Sequence, residues 1–140
     1  NREALSRQFK SFNPQKVVNL AAQPGVRYSI INPYAYMSSN LVGFLNLIEL
    51  CRNNDVQGLI YASSSSVYGN NNKLPYSVED RVDKPISLYA ATKRSNELMA
   101  FTYNQSVERA KNVLSEMHSI SDLNHLSIKT DISNFSIGIF

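Results

Sequence analysis

Apolar residues Leu5, Phe9 and Phe12 recur at three- and four-residue intervals through "NREALSRQFKSF", the spacing that lines one face of a helix. "NPQ" stops that helix, and "KVVNLAA" follows as a short apolar run of strand type. Pro24, Gly25 and Pro33 then punctuate "QPGVRYSIINPYAYMSS", which reads as a loop with a short helical piece. From Asn40 to Asn53 a stripe of Leu41, Phe44, Leu45, Ile48 and Cys51 predicts a second helix, with Ser38 or Ser39 as its N-cap. "NND" breaks it, and "VQGLIYA" is the second strand-like run. Helix, strand, helix, strand in this order predicts an α/β fold, a parallel sheet with flanking helices.

After Gly69 the stretch "NNNKLPYSVEDRVDKP" is rich in turn formers and reads as a long surface loop of the kind that often carries function. A further helix is expected from about Ile86, carrying Leu88, Ala91, Leu98 and Met99, and running on through Val107, Ala110, Val113 and Leu114. Residues 1–118 form one unit on this reading. In residues 119–140, Leu126, Ile128, Thr130 and Ile132 alternate as a strand would, and so do Phe135, Ile137 and Ile139, so one or two strands are expected there.

Composition narrows the function. The chain has 140 residues, 43% of them hydrophobic, enough for a single domain with a core. Its formal charge of +3 comes from Lys and Arg scattered among acids, so no nucleic-acid partner is expected. Cys51 stands alone among Leu47, Ile48 and Leu50; it reads as a buried hydrophobe in a reducing, cytoplasmic setting. No apolar run approaches the roughly 18 residues of a membrane span, and "NREALSRQFK" lacks the apolar segment of a secretory signal. No metal site is read. The opening Asn in place of Met suggests a fragment or processed product.

The chemistry lies in two places. "YAATK" sets Tyr89 and Lys93 four residues apart on a predicted helix, on one face about a turn apart. An ammonium beside a phenol favours the phenolate, so that the tyrosine can serve as a general base; the plain alternative is a solvated helix face. "LIYASSSSVYG" ends a predicted parallel strand in four serines. They read as a loop, or as hydroxyls at the strand end where open α/β sheets bind ligands.

"NLAAQPGVRYSIINPYAYMSSNLVGFLNLIELC", "LIYASSSSVYG" and "PISLYAATKRSNELMA", in this order and spacing, resemble the central part of the extended short-chain dehydrogenase/reductases that act on nucleotide sugars, most closely the UDP-glucuronate 4-epimerases. The resemblance covers roughly Phe12 to Tyr103. It implies a partial Rossmann-type parallel sheet, NAD as cofactor and a UDP-sugar substrate. Tyr89 becomes the catalytic base, Lys93 the residue that holds the nicotinamide ribose, and Ser64 the catalytic hydroxyl. Ser65 and Ser66 would contact the sugar, and Ser63 would lie toward the cofactor. Leu20, Ala21, Ala22 and Gln23 match the strand end beside the cofactor, and Asn40 a helix-start asparagine near it, otherwise an N-cap. Arg27 departs from the galactose-type pattern and suits a glucuronate carboxylate, with a structural salt bridge as the alternative. The implied reaction oxidises sugar C4 transiently to a 4-keto intermediate and returns hydride to the opposite face.

Two features depart from the family pattern. No G-x-G-x-x-G follows a strand; the glycines stand dispersed at 25, 43, 58, 69 and 138. The chain is therefore expected to begin inside the Rossmann domain. After Tyr103, "NQSVERAKNVLSEMHSISDLNHLSIKTDISNFSIGIF" does not match the family, which leaves a diverged tail, a shifted reading frame or a truncated gene. The alternatives to an epimerase are a decarboxylase or dehydratase sharing the same intermediate, and a non-catalytic α/β remnant or interaction module. Dimerisation through the two main helices is expected by analogy.

Overall fold

A computed structural model of the chain describes residues 1–119 and 136–139, with side chains described for residues 1–106. Helix α1 (Arg2–Phe12) opens on Asn1, whose Oδ1 accepts the Ala4 N–H at 3.1 Å. It closes on Asn13, held in the left-handed region at φ 44° with its N–H on Phe9 O. Asparagine tolerates that region better than most residues, so "NPQ" does end the helix. Strand β1 (Lys16–Asn19) follows.

Strand β2 (Gly58–Tyr61) pairs parallel with β1, Val17 opposite Leu59 and Asn19 opposite Tyr61. Strand β3 (Ser136–Ile139) pairs parallel with the far side of β2, so the sheet order is β1-β2-β3. The strand expected around Leu126–Ile132 lies outside the described residues. Parallel neighbours require a crossover, and helices supply it. After the short helix α2 (Tyr28–Ile31), a helical run extends through α3 (Pro33–Tyr36), a π-helical turn (Met37–Val42) and α4 (Gly43–Asn53).

The helical run corrects the expected cap. Asn32 Oδ1 accepts the Ala35 N–H, and Pro33 takes the first helical position, where no N–H is needed. Ser38 and Ser39 lie inside the run, exposed. The last helix, α5 (Leu88–Ser119), starts where Ser87 Oγ accepts the Ala90 N–H at 3.1 Å. No helix among the described residues is long and apolar enough to cross a membrane.

Strand side chains alternate between faces, so Leu59 and Tyr61 share the covered face of β2. They pack with Phe9 of α1, with Phe44, Leu47, Ile48 and Cys51 of α4, and with Ala100 of α5. Each large member contributes about 1.5–3 kcal/mol by burial. Phe44 and Tyr61 meet ring to ring at 5.1 Å. Cys51 is buried, and desolvation pushes its thiol up to about 12, so it packs as a hydrophobe. Val18 and Ile60, on the opposite face of the sheet, are exposed.

Candidate active site

Three segments meet at the C-terminal ends of the parallel strands: the exits of β1 and β2 and the start of α5. Leu20, Ala21, Ala22 and Gln23 run on from β1, the first two exposed and the last two half-buried. Asn40 holds this exit. Its Oδ1 accepts the Gln23 N–H at 2.8 Å, and its Nδ2 donates to Gln23 O at 3.1 Å. The same Nδ2 donates to Thr92 Oγ1 at 3.1 Å, and Asn96 Nδ2 donates to Asn40 O at 2.7 Å. Asn40 therefore caps no helix; it lies within the π-helical turn and ties the β1 exit to α5.

Tyr36 is a second tie, unforeseen in the sequence. It is fully buried, and its hydroxyl faces Pro24 O at 2.6 Å and Gly25 O at 2.5 Å. Gly25 has φ +96°, a conformation L side chains rarely adopt. The Tyr36 ring stands edge-on to Tyr89 with centroids 6.1 Å apart. Arg27, two residues past Gly25, is exposed, and its guanidinium makes no hydrogen bond or ion pair among the described residues.

At the β2 exit Ser64 is extended, at φ −159° and ψ 142°, and starts a tight 3₁₀ turn, Ser65–Tyr68. Ser64 Oγ accepts the Ser66 N–H at 3.2 Å, which leaves its own proton available to a ligand. Ser65 is exposed and Ser66 half-buried. The turn packs against α5. Ser63 also faces α5, its hydroxyl donating to Glu97 Oε1.

Helix α5 carries Tyr89, Lys93 and Glu97 at four-residue steps along one face. Tyr89 is half-buried, with no partner for its hydroxyl among the described residues. Lys93 is only 5% exposed, and its Nζ donates to Ala62 O at 3.0 Å. Burial lowers the Lys93 pKa from its ordinary value, because desolvation disfavours the charged form. Thr92 Oγ1 donates to Tyr89 O at 2.8 Å, so the Asn40 linkage reaches the helical turn that bears Tyr89.

The structure thus brings Lys93 to the β2 exit and Asn40 to the β1 exit, and packs the turn that follows Ser64 on the helix of Tyr89. It leaves Arg27 outside this hydrogen-bonded set. Tyr36 and Glu97 are additions. Glu97 was signalled only by its place in the four-residue series after Tyr89 and Lys93, and Tyr36 only by its place four residues before Asn40.

A parallel sheet with flanking helices and a Tyr–Lys pair beside its strand ends defines a Rossmann-type protein of the short-chain dehydrogenase/reductase class. The family described as GDP-mannose 4,6 dehydratase matches residues 1–127, and the chain belongs to that family. It is 60% identical over 104 residues to Protein CapI of Staphylococcus aureus, covering 74% of this chain and 31% of that relative. It is 50% identical over 103 residues to UDP-glucuronate 4-epimerase 4 of Arabidopsis thaliana, covering 73% of this chain and 24% of the plant protein. Among solved structures, the UDP-glucose 4-epimerase of Thermus thermophilus in complex with NAD matches with a TM-score of 0.70 and 35% identity, covering 76% of this chain and 34% of that one. The chain thus spans only 31% or less of the length of these two curated relatives.

Proposed function

We propose that residues 1–118 are the central part of the NAD-binding Rossmann domain of a nucleotide-sugar 4-epimerase that interconverts UDP-glucuronate and UDP-galacturonate. The observation that carries the reading is the Lys93 contact. A nearly buried ammonium reaches the backbone of Ala62 at the end of β2, one residue before the serine run and one helical turn from Tyr89. Similarity to relatives named UDP-glucuronate 4-epimerase and probable UDP-glucuronate 4-epimerase supports the uronate as the sugar.

The residues present fit the nicotinamide end of NAD. Lys93 has one acceptor among the described residues and keeps donor capacity for a ribose hydroxyl. Ala21 and Ala22 leave the β1 exit unobstructed by bulk, and Asn40 fixes its backbone. The glycine loop that cradles the phosphates is not in this sequence. NAD, when bound, supplies reversible hydride acceptance at the sugar carbon.

Tyr89, one helical turn from Lys93 on the same face of α5, takes the proton of the sugar hydroxyl as general base. Ser64 donates a hydrogen bond to the same sugar oxygen, keeping its own proton, and steadies the charge that develops there. Arg27 pairs with the glucuronate carboxylate, and Ser65 and Ser66 line the sugar. Val42 at the end of the π-helical turn, Leu45 of α4, and Leu98 and Phe101 of α5 are exposed apolar residues, which supports a homodimer through these helices; the proposed setting is the cytoplasm, with no nucleic-acid or membrane partner.

The test supplies UDP-glucuronate to the full-length protein carrying this sequence. UDP-galacturonate is expected with no net reduction of NAD, and Tyr89→Phe should lower the rate by about 10²–10⁴-fold. A UDP-pentose product would show decarboxylation instead. If denaturing the purified protein released no NAD and no sugar turned over, the enzyme reading would be wrong. For Arg27→Ala, an undiminished preference for UDP-glucuronate over UDP-glucose would remove the carboxylate role.

A further inference from the structure

Glu97 extends the series begun by Tyr89 and Lys93 by one more turn of α5. Its side chain is 12% exposed, and its two oxygens have separate partners. Oε2 accepts from Arg94 Nη1 at 2.7 Å, and Oε1 accepts the Ser63 hydroxyl. One turn earlier Lys93 donates to Ala62 O at 3.0 Å. Two successive residues at the β2 exit, Ala62 and Ser63, are therefore pinned to two successive turns of one helix. The residue that follows is Ser64.

The direction of the carboxylate is informative. Leu59, Tyr61 and Ser63 alternate onto the face that meets α5. Tyr61, 1% exposed, is also close enough to feel the Glu97 charge: burial first, and that charge second, raise its pKa. Yet the Tyr61 hydroxyl has no partner among the described residues, and the carboxylate turns to Ser63 instead. Burying a carboxylate costs free energy unless it is paired and hydrogen-bonded. Here that cost supports a contact at the strand end, where an apolar residue would have packed against Tyr61.

We propose that Glu97 is a positioning residue of this site: through the Ser63 hydroxyl it fixes the end of β2, and so sets the Ser64 oxygen relative to the helical turn bearing Tyr89 and Lys93. The proposal rests on the reading of Ser64 and Tyr89 as the pair that handles the sugar proton. A hydroxyl displaced by about 1 Å from its productive place costs up to about 10²-fold in rate, while sugar binding is left largely intact.

The test compares Glu97→Ala, Glu97→Gln and Ser63→Ala in the full-length protein, by amide hydrogen exchange and by steady-state kinetics on UDP-glucuronate. The Ser66 and Val67 amides bond back to Ser64, and they report its position without any turnover. Glu97→Ala and Ser63→Ala should speed their exchange by about tenfold, leave the β2 amides unchanged, and lower kcat by about tenfold with KM within about twofold. Glu97→Gln, whose amide oxygen still accepts from Ser63, should remain within about threefold of the parent in both measurements. Ser63→Ala guards against a folding failure, since it leaves Glu97 paired with Arg94.

Unchanged exchange at Ser66 and Val67 would overturn the proposal. So would faster exchange with an unchanged kcat, or a Glu97→Gln variant as impaired as Glu97→Ala. A parent protein inactive on UDP-sugars defeats the proposed function and, with it, the rate effect; the exchange data then decide the Glu97–Ser63 linkage by themselves.

Discussion

Asn40→Ala is the sharpest test of how the two strand exits are joined. The side chain is 2% exposed and makes three hydrogen bonds, two to Gln23 at 2.8 and 3.1 Å and one to Thr92 at 3.1 Å. Alanine removes all three. Gln23 is half-buried, so water reaches part of what it loses. Thr92 is 1% exposed but continues to donate to Tyr89 O at 2.8 Å, so it loses only an accepted bond. With each net bond at about 1 kcal/mol, and a further contribution from groups left unpaired, the loss is about 3 kcal/mol, within a range of about 2–4. The Asn40 carbonyl still accepts from Asn96, so the helices stay docked and the effect is local.

For a denaturant slope of about 2 kcal/mol per molar urea, that loss moves the unfolding midpoint down by about 1.5 M with the slope unchanged. The assay is urea unfolding followed by far-UV circular dichroism. Asn40→Asp sharpens it further. The carboxylate still accepts the Gln23 N–H, but its second oxygen faces Gln23 O, where Nδ2 had donated. Burial and that repulsion raise the folded-state pKa above the unfolded value of about 3.9. Between these values the folded state binds more protons than the unfolded, so stability recovers as pH falls. A loss below about 0.5 kcal/mol for Asn40→Ala, or a pH-independent Asn40→Asp, would refute the account.

Lys93→Met should leave stability at pH 7 within about 1 kcal/mol of the parent while lowering turnover by about 100-fold or more. Because burial lowers the Lys93 pKa, the unfolded state holds its proton to higher pH than the folded one. The parent therefore gains stability as pH rises toward about 10, a gain the Met variant should lack in alkaline urea titrations. Gly69→Ala should cost more than about 2 kcal/mol, read as a lowered Tm: Gly69 has φ +60°, and an added Cβ would stand 2.4 Å from Lys84 O. Glu49→Gln should flatten the acid limb of stability. Arg52 first, and then the Tyr103 hydroxyl at 2.6 Å, lower Glu49 from 4.5 to about 2. That stabilisation is present above about pH 4.5 and lost as pH falls toward 2, so the variant should be weaker by about 1 kcal/mol at pH 6 and equal to the parent near pH 2.

What the sequence made legible was local. The stripes Leu5, Phe9 and Phe44, Ile48, Cys51 identified α1 and α4, and the runs "KVVN" and "GLIY" became β1 and β2, because each ends at residues that cannot continue it. Tyr89 and Lys93 were readable for the same reason, since four residues is one helical turn. Asn40 was harder, because its partners Gln23 and Thr92 lie 17 and 52 residues away. The reading of Asn40 as an N-cap assumed a helix that starts there. Instead, Tyr36, Asn40, Phe44 and Ile48 are all buried at steps of four along one helical run. In a regular α-helix of 3.6 residues per turn, steps of four drift steadily around the axis. The π-helical turn at Met37–Val42 is wider, with hydrogen bonds reaching one residue further, and it offsets that drift. It keeps Tyr36 and Asn40 directed at the β1 exit while Phe44 and Ile48 face the core. The device that aims Asn40 at the site is therefore the same one that hid its role, because a 3.6-residue template reads those four positions as diverging.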